Sequence, residues 1–307
     1  MEADCKTDRV CRDYLPPGRE ALHWVATRVH PRSRVISVTP LLGGITAHMD
    51  RIAVESPTGQ RDLVLRRWPG EDWADGLVAR EASALAAVRG CGVPAPELLA
   101  ADEDGAEAGV RCTLTSALEG EPDLDPVDLQ SWLRQLAETQ SAIHAVPDRS
   151  LTRSVGEYAD DRGLEWLEDS GLRAAAREAA SGSIAAELVL VHGDYQPFNV
   201  LWSHGRLSGV VDWPHAGTGS RGSDVGHCRL NLAVLFGRGA AAEYLAAYES
   251  AAGGSVDRRA DLRALLSFDL EWQQFIPRQV AGRARLDVAG MPGRVAATVA
   301  DTLDGMG

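Results

Sequence analysis

The stretch Leu190-Val191-His192-Gly193-Asp194-Tyr195-Gln196-Pro197-Phe198-Asn199-Val200-Leu201-Trp202 decides how the rest of the chain is read. It sets an aspartate and an asparagine five positions apart in a loop bracketed by two apolar, strand-like runs, Leu188 to Val191 and Leu207 to Trp213. A second aspartate, Asp212, closes the run Gly209-Val210-Val211-Asp212, 13 residues beyond Asn199. Phosphoryl transfer uses these parts: one carboxylate to accept a hydroxyl proton, and an asparagine and a second carboxylate as hard oxygen ligands for magnesium. Magnesium keeps several waters and phosphate oxygens, so two protein ligands are enough. A turn in which Asp and Asn merely bond the backbone accounts for either residue alone. It does not account for the full spacing together with the strand-ending aspartate.

Upstream of this loop the chain reads as a helix followed by a small sheet. Glu20 to Val29 is helical, closed by Pro31, and Arg34 to Thr39, Ala47 to Glu55 and Arg61 to Trp68 form an antiparallel meander, its last two strands joined by Ser56-Pro57-Thr58-Gly59. Between the first two strands, Gly43 and Gly44 let the backbone come close to a ligand. A helix over Ala74 to Arg89 and strands over Glu97 to Ala101 and Val110 to Leu118 complete this part. From Glu119 onward helices dominate. Asp125-Pro126 is read as the N-cap of a helix with Leu129, Trp132, Leu133, Leu136, Ala137, Gln140 and Ile143 on one stripe. Further helices are expected over Gly163 to Ala180, Val225 to Phe236, Ala240 to Ala252, Ala260 to Gln274 and Gly293 to Leu303. The expected layout is α+β: a flexible tail at 1–17, a β-rich lobe at 18–118 and a helical lobe at 119–307.

Composition narrows the chemistry. The 307 residues hold 31 basic and 44 acidic side chains, a net charge of −13, which opposes loose association with nucleic acid or anionic lipid and favours cationic partners. Lys6 is the only lysine, so pyridoxal Schiff bases, Walker A loops and lysine nucleophiles have no residue to use in the body of the chain. Five scattered cysteines, Cys5, Cys11, Cys91, Cys112 and Cys228, form no Cys-x-x-Cys pair and indicate neither a disulfide framework nor a zinc site. No apolar run approaches the roughly 18 residues of a membrane span, and the N-terminus lacks an apolar signal core, so the expected location is the cytoplasm. The oligomeric state is not legible.

With the catalytic-type loop, Gly43-Gly44, Val64-Leu65-Arg66, Arg80-Glu81 and Gly193 in hand, the chain resembles the aminoglycoside phosphotransferase and choline kinase-like family of small-molecule kinases, over roughly Arg34 to Leu235. The resemblance implies a protein-kinase-like, two-lobed fold and an ATP- and Mg2+-dependent transfer to a small-molecule hydroxyl. By the same resemblance Asp194 is the catalytic base, Asn199 and Asp212 hold Mg2+, and Arg66 contacts the α and β phosphates while Glu81 fixes it. Gly43, Gly44 and Thr46 would lie over the phosphates, and the backbone at Ser116, Ala117 and Leu118 would receive the adenine. His192 would brace the loop. Arg66 stands where protein kinases carry lysine; a guanidinium is permanently charged and grips phosphate bidentately, so phosphate binding survives the change. Asp212 is followed by Trp213-Pro214 in place of Phe-Gly, and the segment beyond is too short for an activation loop, which argues against a protein kinase. The expected acceptor is an antibiotic such as an aminoglycoside or macrolide; the alternatives are a kinase of a metabolite or biosynthetic intermediate, choline- or homoserine-like, and a catalytically silent nucleotide-binding module.

Gly217-Thr218-Gly219-Ser220-Arg221-Gly222 matches Gly-x-Gly-x-x-Gly, yet Pro214-His215 intervenes after the strand and no second parallel strand follows, so a dinucleotide site is set aside. The segment is expected to be a flexible loop ending in Asp224, a helix cap or a brace for the catalytic loop. Acceptor recognition is expected in the helical part, from Asp269, Glu271 and Trp272; a second acidic cluster, Glu157, Asp160, Asp161, Glu165, Glu168 and Asp169, reads as a solvated face. His144 is read as a packed core histidine.

Overall fold

The computed structural model describes residues 14–41, 46–147, 163–184 and 188–306, and the chain divides into two compact units, 1–89 with 95–118, and 90–94 with 119–307. Most of the tail, Cys5, Cys11, Lys6, Gly43, Gly44, Glu157, Asp160 and Asp161 lie outside the described residues.

The first unit is a five-stranded antiparallel sheet of order β1-β2-β3-β5-β4, with β1 Arg34–Pro40, β2 His48–Ser56, β3 Gly59–Arg67, β4 Leu98–Asp102 and β5 Cys112–Ser116. The meander read from the sequence is present, with Ser56 opposite Gly59 at the hairpin. Strand periodicity of two sorts the side chains of β3 to its two faces. Leu63 and Leu65 join Ile52, Val54 and Leu114 in a core closed by Trp24 and Val25 of helix α1, Arg19–Val29. On the other face, Arg66 and, just beyond the strand, Trp68 meet helix α2, Leu77–Val88, which contributes Leu77, Val78 and Glu81. The buried Asp50 on β2 accepts from Arg67 at 2.8 Å and from the Tyr14 hydroxyl at 2.5 Å.

The second unit carries helices α3 Leu129–His144, α4 Ser170–Ala180, α5 Arg221–Phe236, α6 Arg238–Ala252, α7 Arg258–Leu265, α8 Trp272–Val280 and α9 Met291–Asp304. Two short antiparallel ribbons, β6 Leu188–Val191 with β9 Gly217–Ser220 and β7 Val200–Ser203 with β8 Arg206–Val210, hold the loop. Helix α5 packs against α6, α7 and α9 and is buried on nearly every side, as a helix at the centre of a bundle must be. Gly222 and Gly226 let it approach α7, since a Cβ at either would collide with the backbone carbonyls of Asp257 and Asp261.

Four local readings change. Asp128, not Asp125, caps α3, because its side chain reaches Ser131 N at 3.0 Å while Asp123 bonds the Asp125 N–H. The helix read from Gly163 starts only at Ser170: Asp169 caps it through Leu172 N, and the non-helical segment before it buries Leu164, Trp166 and Leu167. The helix read over Ala260 to Gln274 breaks after Leu265, where Phe268 packs edge-on against Trp166 at 5.0 Å and Asp269 bonds Glu271 N. Gly217 to Ser220 is a strand paired with β6, and Ser220 caps α5 through Gly222 N, so the glycine pattern serves an antiparallel ribbon and helix packing.

Candidate active site

The loop that follows β6 is held from three directions. His192 is fully buried and uses both ring nitrogens: Nε2 lies 3.1 Å from the Val211 carbonyl, and Nδ1 accepts the Asp194 N–H at 3.3 Å. That pattern is the neutral tautomer with its proton on Nε2. Burial lowers its pKa, against the opposing pull of Asp224, Asp194 and Asp212. The ring rests on Trp213 at 4.5 Å, so its position is set by packing as well as by hydrogen bonds.

The second hold is Asp224, which braces the loop rather than capping α5. Its carboxylate accepts from Gly193 N at 2.8 Å, His192 N at 3.2 Å, Gln140 Nε2 at 3.0 Å and the ring of His144 at 3.0 Å. Burial alone would raise its pKa; the hydrogen bond and charge of His144, with the Gly193 N–H, outweigh it and bring the value down to about 2. His144 is a packed histidine, as read, and its other nitrogen meets Tyr248 OH at 2.6 Å. Gln140, placed on the core stripe by spacing, is a buried polar member that also accepts from Tyr244. The third hold is Tyr195, whose hydroxyl donates to the Leu136 carbonyl on α3 at 2.8 Å.

Within this frame the loop aligns its polar groups. Asn199, at the end of a 3-10 turn over Pro197–Asn199, donates through Nδ2 to both Asp194 O and Asp194 Oδ2 at 2.9 Å. The Asn199 carbonyl accepts Val211 N at 2.9 Å, which ties the loop to the residue immediately before Asp212. Asp212 adopts a left-handed conformation, φ 71°, unusual for an aspartate and of the kind that collects at functional sites. Two side chains that sequence reading did not single out also reach Asp194 Oδ1: Gln196 Nε2 at 2.7 Å and His227 Nε2 at 3.0 Å. Gln196 lay within the quoted loop; His227 sits one helical turn beyond Asp224, and only that spacing pointed to it.

The residues present fit a magnesium ion. With Nδ2 spent on Asp194, Asn199 keeps Oδ1 as its remaining acceptor, and the half-buried Asp212 supplies a carboxylate. Both are hard oxygen donors, and two of them suit a cation that takes its other ligands from phosphate and water. Among the described residues no group of three or more His, Cys, Asp or Glu side chains assembles as a metal cage.

In the first unit, Arg66 Nη1 meets Glu81 Oε1 at 2.9 Å, both nearly buried, and Thr113 Oγ1 donates to the other Glu81 oxygen at 2.7 Å. The guanidinium also stacks on Trp68, 4.3 Å from the ring centroid. Thr46 is exposed. Of the backbone at 116–118, Ser116 N donates to Glu97 O and Ala117 N to Asp62 O, so both are engaged within the unit. Asp269 and Glu271 form the turn between α7 and α8, and Trp272 begins α8 against Phe268 at 5.8 Å.

A phosphotransferase enzyme family model matches residues 38–265, and the chain belongs to that family. Its fold is protein-kinase-like, and the enzyme is a phosphotransferase. Among similar solved structures is a protein of Ralstonia eutropha JMP134 provisionally assigned as an aminoglycoside phosphotransferase, 17% identical, with 94% of this chain and 98% of that one covered and a TM-score of 0.62. A thermostable mutant of aminoglycoside phosphotransferase APH(4)-Ia, in a ternary complex with AMP-PNP and hygromycin B, is 21% identical over 91% of this chain and 98% of that one, with a TM-score of 0.57. Choline kinase from Cryptosporidium parvum Iowa II is 12% identical over 88% and 90%, with a TM-score of 0.52. No curated protein sequence matches the chain.

Proposed function

We propose that the protein transfers the γ-phosphoryl group of ATP, with Mg2+, to a hydroxyl of a small molecule, and that this molecule is an antibiotic. The observation that carries this reading is the joined arrangement of Asp194, Asn199 and, through Val211, the strained Asp212. Asp194 is the base. It takes the proton of the acceptor hydroxyl as that oxygen bonds to the γ-phosphorus and the phosphorus–oxygen bond to the β-phosphate breaks, ADP leaving with the electron pair. Asn199 Oδ1 and Asp212 hold the metal, which when bound neutralises charge on the phosphate oxygens.

Arg66 grips the α and β phosphates, and Glu81, Thr113 and Trp68 keep its guanidinium from swinging away. Thr46 joins Gly43 and Gly44 at the phosphates, the glycines entering on sequence alone. The Ser116 and Ala117 N–H groups are engaged, so the adenine contact assigned to Ser116, Ala117 and Leu118 falls to the carbonyls of the first two and the backbone of Leu118. Asp269, Glu271 and Trp272 are assigned to the acceptor. The net charge of −13 suits a cationic antibiotic, and the hygromycin B complex of the APH(4)-Ia mutant supports the same class.

The test is ADP release with Mg-ATP against a panel of aminoglycosides, macrolides, peptide antibiotics, choline and homoserine, with Asp194→Ala beside the wild type. Release that needs both an antibiotic and Asp194 is the expected result. Release with choline or homoserine alone moves the acceptor to metabolism. Absence of both release and Mg-ATP binding makes the protein a non-catalytic relative.

A further inference from the structure

A carboxylate offers about four lone-pair sites, two on each oxygen. In Asp194 these are unevenly filled. Oδ1 takes Gln196 Nε2 at 2.7 Å and His227 Nε2 at 3.0 Å, while Oδ2 takes Asn199 Nδ2 at 2.9 Å. We infer that His227 is a positioning residue: with Gln196 it saturates Asp194 Oδ1 and leaves the second lone pair of Oδ2 as the site that receives the proton of the acceptor hydroxyl. The inference rests on the reading of Asp194 as the base.

The helix that carries His227 is suited to the task. Helix α5 is buried on nearly every side, and three residues earlier it presents Asp224 to the loop backbone at Gly193 and His192. One rigid element therefore sets both the backbone of the loop, through Asp224, and the orientation of the Asp194 carboxylate, through His227. The pair is partly enclosed, with side-chain exposures of 12% for His227 and 23% for Asp194. A hydrogen bond to a carboxylate there is charge-assisted and directional. Asn231 Nδ2 lies 3.5 Å from the same ring nitrogen but donates at 3.0 Å to the His227 carbonyl, so the closer partner of Nε2 is Asp194.

The arrangement makes a chemical demand on the histidine. Its proton must sit on Nε2, and the attacking oxygen must approach from the Oδ2 side, the side that also carries Asn199. During transfer the hydroxyl O–H bond breaks and its proton goes to Oδ2. The oxygen–phosphorus bond forms, and the bond to the β-phosphate oxygen breaks with its electrons leaving on ADP. His227 neither gains nor loses a proton.

The first arm of the test needs no substrate. Long-range 1H–15N spectra of the 15N-histidine-labelled full chain identify His227 by the signal missing from His227→Gln. The expected result is a proton on Nε2 and an Nε2 shift that changes in Asp194→Ala; a proton on Nδ1 alone, or an unchanged shift, overturns the inference. The second arm follows turnover with Mg-ATP and the panel acceptor that releases ADP. His227→Ala is expected to lower kcat about 10- to 100-fold, with both KM values held, as the loss of one hydrogen bond to a charged group implies. His227→Gln, which keeps an N–H donor, recovers most of it. Rates of His227→Ala within about twofold of wild type overturn the role. If Asp194→Ala itself retains turnover, the base assignment fails and takes this inference with it; if only Asp194→Ala is inactive, the positioning role alone fails.

Discussion

Asp224 on α5 accepts the backbone N–H of Gly193 at 2.8 Å, a contact across 31 residues that fixes the loop one residue before Asp194. Three further donors, His192 N, Gln140 and His144, converge on the same buried carboxylate. The substitution Asp224→Asn points an NH2 at groups that are themselves donors. The expected loss is about 3–5 kcal/mol, the range for breaking a buried charged network, read by urea denaturation.

The same residue sets an acid limit. Its folded-state pKa is depressed to about 2 from 3.8, so the stability it contributes is present above the unfolded value and is lost as pH falls through the folded one. Between about pH 4 and pH 2 the wild type should lose about 2 kcal/mol from this group, at 1.36 kcal/mol per unit. Asp224→Asn should show a shallower acid dependence across that window.

His192 acts at milder pH. Burial lowers its pKa, so the unfolded chain takes up a proton that the folded chain refuses, and stability falls as pH drops below the ordinary histidine value of about 6.5. Protonation would also remove the Nδ1 acceptor from Asp194 N. Thermal melts from pH 8 to pH 5 should show a smaller downward shift in His192→Asn than in the wild type.

Gly193 has φ +77°, and a Cβ there would run into the His215 carbonyl. Gly205 has nearly the same φ, +72°, with open space around it. Gly205→Ala should therefore cost only the left-handed penalty, about 1–2 kcal/mol. Gly193→Ala should cost more and abolish phosphotransfer, because the clash displaces the residue before Asp194. Melting temperatures and turnover of the two variants, measured together, separate strain from collision.

Arg66 and Glu81 form a buried ion pair whose removal and replacement have different consequences. Arg66→Met leaves the Glu81 carboxylate buried with Thr113 as its remaining hydrogen-bond partner and should destabilise by about 3–5 kcal/mol. The double variant Arg66→Met/Glu81→Leu should regain much of that stability while KM for ATP stays raised. Denaturant melts and ATP titrations check both halves.

Much of this was legible in the sequence because it is encoded locally. Period-two alternation on β3 puts Leu63 and Leu65 on one face and Arg66 on the other, and the spacing of Asp194, Asn199 and Asp212 is a short-range pattern tied to one loop and one hairpin. With no lysine beyond Lys6, the cation that β3 sets against Glu81 could only be an arginine, Arg66. Element ends were less legible, since Asp125 and Asp128 are both chemically fit to cap α3, and only the one whose carboxylate meets Ser131 N does so.

Sequence alone therefore determined the family of fold, the strand faces and the three oxygen-bearing residues of the loop, because apolar period and loop spacing act between neighbours. Tertiary structure alone decided which distant donors reach Asp194 and Asp224. His227 is 33 residues from Asp194, and Gln140 and His144 are 84 and 80 from Asp224, so nothing in their local pattern names the partner. Hydrogen bonds depend on distances of a few tenths of an ångström, and across such separations those distances exist only once α3, α5 and the β6 loop have packed.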